Sequence, residues 1–199
     1  MPEVVVYHHV QGLTDGVRLF ADRLREAGHT VHTPDMFDGR TFATLEDGMA
    51  FARAEGFGAL AERGVAAGEE IGSEAVYAGF SFGVMPAQQL AQTRPGARGA
   101  LLMCSCLPTS EFGGDWPDDV PVQVHGKEGD EFFAEDLEAA QALVGSTDRA
   151  ELFLYPGEEH LFADSSLPAY DPDAARLLTE RVLAFLEISL EGRLVQRTF

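Results

Sequence analysis

Three residues of this chain have the types and spacing for nucleophilic acyl chemistry. Ser81 sits in Gly79-Phe80-Ser81-Phe82-Gly83, a G-x-S-x-G pattern. A serine hydroxyl is a weak nucleophile at neutral pH and needs an adjacent base, and a histidine base needs a carboxylate to orient it. His160 lies in Tyr155-Pro156-Gly157-Glu158-Glu159-His160, where Pro-Gly is a turn signal. Asp130 lies in the glycine-rich stretch His125-Gly126-Lys127-Glu128-Gly129-Asp130. The order serine, acid, histidine, with intervals of 49 and 30 residues, leaves room for whole strand–helix units between the three. Glu128 and Glu131 compete for the acid position, and Gly129 favours Asp130 by permitting a tight turn before it. Glu158 and Glu159 read as solvated loop charges.

The elements must bring these residues to one edge of a sheet. The apolar run Ala75-Val76-Tyr77-Ala78 precedes the pentapeptide, and Val84–Thr93 reads as a helix after it. Strand, sharp turn and helix make a nucleophile elbow, with a serine at positive φ and glycines that let the two backbones approach. Strands are expected at Val4–His8, Thr30–Thr33, Glu74–Ala78, Gly99–Cys104, Val120–His125 and Ala150–Tyr155. Helices are expected at Leu13–Ala27 (closed by Gly28), in pieces over Leu45–Ile71, and at Val84–Thr93, Phe132–Val144 and Pro172–Leu190. This alternation predicts an α/β fold: a single domain over residues 1–199, with a doubly wound, mostly parallel sheet of about six strands and helices on both faces. Ligands of such sheets bind beyond the carboxyl ends of the strands.

Several residues at those strand ends are candidates for the rest of a site. The oxyanion of acyl transfer needs backbone N–H donors. Phe82, after the serine, supplies one, and Val10, in the loop after the first strand, supplies the other. His9, Phe37 and Cys106 are candidate pocket residues. His9 is open between bonding to Ser81 or substrate and being a satisfied loop histidine. Phe37 follows a strand end, whereas Phe51 reads as core. The segment Pro34–Ser73, with Phe37, Phe42, Phe51 and Phe57, is expected to cover one side of the site in place of a lid. Cys104 and Cys106 read as packing thiols at the end of a buried strand, facing the same way, with Cys106 the one placed to line the pocket. His8 ends the first strand and faces the core, His125 ends the fifth and packs locally, and His29 and His32 lie at the second strand before its carboxyl end.

Composition narrows the function. The 199 residues carry a net charge of −19, from 33 acidic and 14 basic residues, which excludes nucleic acid and anionic membranes as partners. Lys127 is the only lysine. No run is long and apolar enough to span a bilayer, and Glu3–Tyr7 reads as a strand rather than a secretory signal, so a cytoplasmic location is expected. Two cysteines fall short of a structural zinc site, and no phosphate-binding glycine motif is present. No metal or other cofactor is expected.

Taken together these motifs resemble the dienelactone hydrolase family, of the α/β-hydrolase fold. The match runs over His8–Leu13 with Ala21–Gly28, Thr33–Phe37, Gly79–Gly83, His125-Gly126 with Asp130, and Tyr155–Gly157 with His160–Ala163. The resemblance implies a carboxylesterase-like hydrolase of a small ester or lactone, free of cofactor, working as a monomer or small homo-oligomer. It also implies catalytic roles for Ser81, Asp130 and His160. The name-giving enzymes use cysteine where Ser81 stands and carry a glutamate where His9 stands. An arginine would be expected at Asp164, four residues after His160. A negative residue there, close to the pocket, is expected to disfavour anionic substrates. A non-catalytic binding protein that keeps the fold is the alternative reading.

Overall fold

The structure, a computed structural model, describes residues 3–196, with side chains described through Glu187. Six parallel strands form one open sheet: β1 (Glu3–Tyr7), β2 (Thr30–His32), β3 (Ala75–Phe80), β4 (Gly99–Met103), β5 (Val122–Lys127) and β6 (Ala150–Tyr155). Their spatial order is β2-β1-β3-β4-β5-β6. The chain therefore winds one way from β1 to β2 and the other way from β3 to β6. The reversal leaves a crevice above β1 and β3, where the loops that follow them diverge.

Alternation along each strand builds two cores. Val5, Tyr7, Tyr77, Leu102 and Val124 face α2 (Leu45–Glu55), α3 (Phe57–Glu69), α4 (Val84–Thr93) and α5 (Glu131–Ser146). Val4, Val6, Val76, Ala78, Leu101 and Met103 face α1 (Asp15–Glu26) and α6 (Pro172–Gln196). Near-continuous apolar strands are what a sheet covered on both faces requires. The helical stretch after residue 44 splits into α2 and α3 at Gly56, whose φ of 90° breaks the helix.

Two strands run further than their sequence suggests. β3 continues through Gly79 and Phe80, paired with Leu102 and Met103 of β4, so the turn at Ser81 is tighter than a loop. β5 begins after Pro121, which has no N–H to give the ladder, and continues to Lys127 opposite Tyr155. His125 therefore lies within the strand, fully buried and stacked on Phe153, instead of ending it. Gly126 makes the continuation possible, because the Phe133 ring lies where its Cβ would be.

Close backbone approach sets the elbow. A Cβ on Gly79 would lie 2.1 Å from the Gly83 carbonyl oxygen, and one on Gly83 would lie 2.5 Å from that of Tyr7. The elbow thus rests directly on the end of β1. Gly83→Ala is expected to destabilise the protein by about 1–3 kcal/mol, because backbone must move on both sides. Urea denaturation measures this, and an unchanged midpoint would refute the contact.

Candidate active site

Ser81 lies at the turn between β3 and α4 with φ of 49°, a conformation that costs a non-glycine residue on the order of 1–3 kcal/mol. Its Oγ–H donates to His160 Nε2 at 2.8 Å. His160 Nδ1–H donates to Asp130 Oδ2 at 2.7 Å. The other oxygen of Asp130 accepts the Phe132 N–H at 3.0 Å, so the same carboxylate caps α5 and orients the imidazole. Asp130 is 1 % exposed, whereas Glu128 and Glu131 point to solvent, which separates the three candidate acids. Phe132 packs its ring 4.8 Å from that of His160. The loops meet because Glu128 N–H bonds the Tyr155 carbonyl and Gly129 N–H bonds that of Gly157.

Ser81 opens into a pocket of about 250 Å³. Val10 and Phe82 line it beside the serine, placing both expected oxyanion donors at its wall. The Val10 loop is pinned from several directions. Gly48 of α2 packs against the Val10 carbonyl, where a Cβ would lie at 2.2 Å. Phe42 N–H bonds the Gln11 carbonyl, and Gln11 Nε2 bonds the Phe42 carbonyl. His8 donates through Nδ1–H to the His9 carbonyl and accepts the Met36 N–H. Burial lowers the His8 pKa to about 4, so it serves as a neutral brace.

Of the two readings left open for His9, the satisfied histidine fits, and the pocket expectations for Phe37 and Cys106 are corrected. His9 is fully buried and turned away from Ser81: its Nδ1 accepts the Gln11 N–H at 3.2 Å, and its Nε2–H donates to Asp164 Oδ2 at 2.8 Å. Phe37 lies in the core, because the Asp35 carboxylate accepts the N–H groups of Phe37 and Gly39 and folds the turn inward. There Phe37 packs against His8, Phe51 and Phe82. From that segment, Met49 and Phe57 line the pocket instead. Cys106 is buried behind the pocket, and Cys104 lines it. The same-side expectation fails because β4 ends at Met103 and Cys104 adopts φ of 63°. Burial, reinforced by Asp136, pushes the Cys106 thiol up to about 12, and burial with the Asp130 charge raises Cys104 strongly. Both are protonated thiols near neutral pH and poor nucleophiles.

Asp164 is also corrected. It is 2 % exposed and accepts bonds from His9, Thr14 and Ser166. It therefore presents no charge to the pocket. The two positions at which the family pattern has glutamate and arginine are here histidine and aspartate, bonded to each other. Acidic side chains at the pocket come instead from α5, as Glu135 and Asp136. Asp136 is engaged by the Ser105 hydroxyl and the Cys106 N–H. Met85, one turn after Ser81 on α4, was the pocket residue most accessible to helical spacing; Leu107 and Ser105 follow an irregular chain and carry no such signal.

Glu159 is a solvent-exposed loop charge, as expected, and it is also paired. Lys127, its side chain 1 % exposed, donates to Glu159 at 2.6 Å and to Asp171 at 2.7 Å. Burial alone would lower the lysine pKa, but the two carboxylates more than offset it and raise it. The ammonium thus ties the histidine loop to the acid strand and to the start of α6.

The family model for the dienelactone hydrolase family matches residues 1–190, and the chain belongs to that family. No curated protein sequence matches significantly. Among solved structures, the chain is similar to a dienelactone hydrolase-like promiscuous phosphotriesterase from metagenomic libraries, with TM-score 0.72 and 22% identity over 94% of this chain and 86% of that one. It is also similar to a dienelactone hydrolase from Anabaena variabilis (TM-score 0.67, 19% identity, 94% and 86% covered). A third is an esterase from Pyrobaculum calidifontis (TM-score 0.66, 17% identity, 96% and 77% covered). At these identities the likeness is one of fold, an α/β-hydrolase sheet.

The Asp164 cluster generates a pH prediction. Burial pushes this carboxyl up, but the bonds from His9, Ser166 and Thr14 outweigh burial and hold it below its ordinary value. Its stabilisation is complete above the unfolded carboxylate value near 3.9 and is lost as the pH falls through the depressed native value. Asp164→Asn is expected to cost about 1–3 kcal/mol at neutral pH. In urea denaturation the gap to the unaltered protein should close as the pH drops below about 4. A gap that stays constant into acid would refute the assignment.

Proposed function

We propose that this member of the dienelactone hydrolase family hydrolyses small, uncharged carboxylic esters or lactones through an acyl-enzyme on Ser81. The observation that carries this reading is the unbroken relay from Ser81 Oγ–H to His160 Nε2 and from His160 Nδ1–H to Asp130. In it the serine proton has an acceptor already in place, and the imidazolium that forms has a buried carboxylate beside it.

Ser81 Oγ attacks the carbonyl carbon as His160 takes its proton. The N–H groups of Val10 and Phe82 meet the developing oxyanion. His160 returns the proton to the leaving oxygen as the ester C–O bond breaks. Water, activated by the same imidazole, then attacks the acyl-serine and regenerates Ser81.

The pocket supports the substrate class. Its volume of about 250 Å³ is below the ~300–1,000 Å³ of pockets that take drug-sized ligands. Met49, Phe57, Met85 and Leu107 make its lining largely apolar, and Glu135 and Asp136 supply negative charge that works against an anionic substrate. Burial raises the Cys104 thiol pKa, which disfavours it as a nucleophile and supports Ser81 in that role.

A fluorophosphonate probe is expected to add covalently to Ser81, with the adduct located by peptide mass spectrometry. Ser81→Ala should abolish labelling, and labelling that persists would refute the mechanism. His160→Ala should lower kcat on a short-chain ester by on the order of 10³–10⁴-fold, with a smaller effect on KM. Ligand binding with no ester turnover by the unaltered protein would favour the non-catalytic alternative.

A further inference from the structure

His160 lines a second cavity as well as the Ser81 pocket. This is a cleft of about 370 Å³ formed chiefly by Leu45, Leu161, Leu167, Pro168 and Ala169, with Gln11 beside the oxyanion loop. Ser81, Val10 and Phe82 do not line it, and neither does any acidic side chain. The Ser81 pocket, by contrast, carries Glu135 and Asp136. The two cavities differ in polarity and share the imidazole.

On the esterase reading above, we infer that the apolar cleft receives the alcohol half of the substrate and the Ser81 pocket the acyl half, making the preferred substrate a short-acyl linear ester of an apolar alcohol. The tetrahedral carbon carries three groups besides Ser81 Oγ. The oxyanion points to the Val10 and Phe82 N–H groups. The leaving oxygen must lie against His160 Nε2, because that nitrogen gives it the proton taken from Ser81. The acyl chain takes the remaining direction, into the pocket of Met85, Leu107 and Phe132. The group on the leaving oxygen continues past the imidazole, and the apolar cleft is the space that the imidazole borders there. A small lactone, whose two halves are joined, cannot use both.

The cleft wall is built in advance. Leu167 N–H bonds the Asp164 carbonyl and Asp171 N–H bonds that of Phe162, so the segment after His160 folds back on itself. Its anchor, Asp164, is the buried partner of His9 and Thr14. A preformed apolar wall gains from each methylene it covers without first having to order.

The test compares two ester series on the unaltered protein by pH-stat. Acetates of straight primary alcohols from ethyl to hexyl keep the leaving-group chemistry constant and lengthen only the alcohol. Ethyl esters from acetate to hexanoate lengthen only the acyl group. kcat/KM is expected to climb about two- to fourfold per methylene along the alcohol series. It should fall beyond about four acyl carbons, because the acyl pocket is small. Ala169→Trp should flatten the alcohol series and keep the shape of the acyl series. Should that variant fail to fold by circular dichroism, Leu167→Ala is expected to reduce the alcohol slope. Hydrolysis with a flat alcohol series, or a gain confined to the acyl series, overturns this assignment alone. No hydrolysis of any ester overturns the esterase reading and this inference together.

Discussion

The backbone contact between the elbow and the end of β1 constrains everything above the sheet. Gly83 lies against the carbonyl oxygens of Tyr7 and His8, and Gly79 lies against Gly83 itself. With no side chain at either position, β3 can end and α4 can begin within one turn. That turn forces Ser81 to positive φ and fixes its height relative to the loop carrying Val10. Ser81 and the loop carrying Val10 are thereby placed by one backbone contact, in the crevice that the reversal of winding leaves between β1 and β3. The acid and histidine loops then have to reach a point already determined, and the paired backbone bonds between them bring them there.

Charge is distributed unevenly around this frame. A chain with a net charge of −19 keeps much of its acid on the surface, yet Asp130, Asp164, Glu159 and Asp171 around the site each have a bonding partner. Asp130 faces His160, Asp164 faces His9, and Lys127 bridges Glu159 and Asp171. A buried carboxylate or ammonium left without its partner is costly, so each contact holds two parts of the site together. The pairs lie at the three seams of the site: acid loop to histidine loop, oxyanion loop to the segment after the histidine, and β5 to α6.

Local chemistry made the sheet, the elbow and the order of the three polar residues legible in sequence. Glycines flanking a serine, Pro-Gly after an apolar run and a helix stopping before Pro95 are short-range signals, and Val84–Thr93 and Ala150–Tyr155 have the same bounds in both readings. The misreadings have a common cause. The direction of a side chain just past a strand end follows no period and depends on partners far along the chain. His9 turns inward because Asp164, 155 residues later, receives it. Phe37 turns inward through the Asp35 turn, and Cys104 and Cys106 diverge because the chain leaves the β region between them. β5 starts and ends two residues later than expected because Pro121 has no N–H for the ladder and Gly126 lies within it despite the low strand propensity of glycine.

The burial of Lys127 has a consequence for the chemistry of the folded surface. As the sole lysine, it leaves no exposed side-chain amine. Reagents that acylate lysine, and enzymes that conjugate other proteins to it, meet no free target there while the histidine loop stays docked. Acylation of that one amine would therefore serve as a clock for the opening of the loop that carries His160.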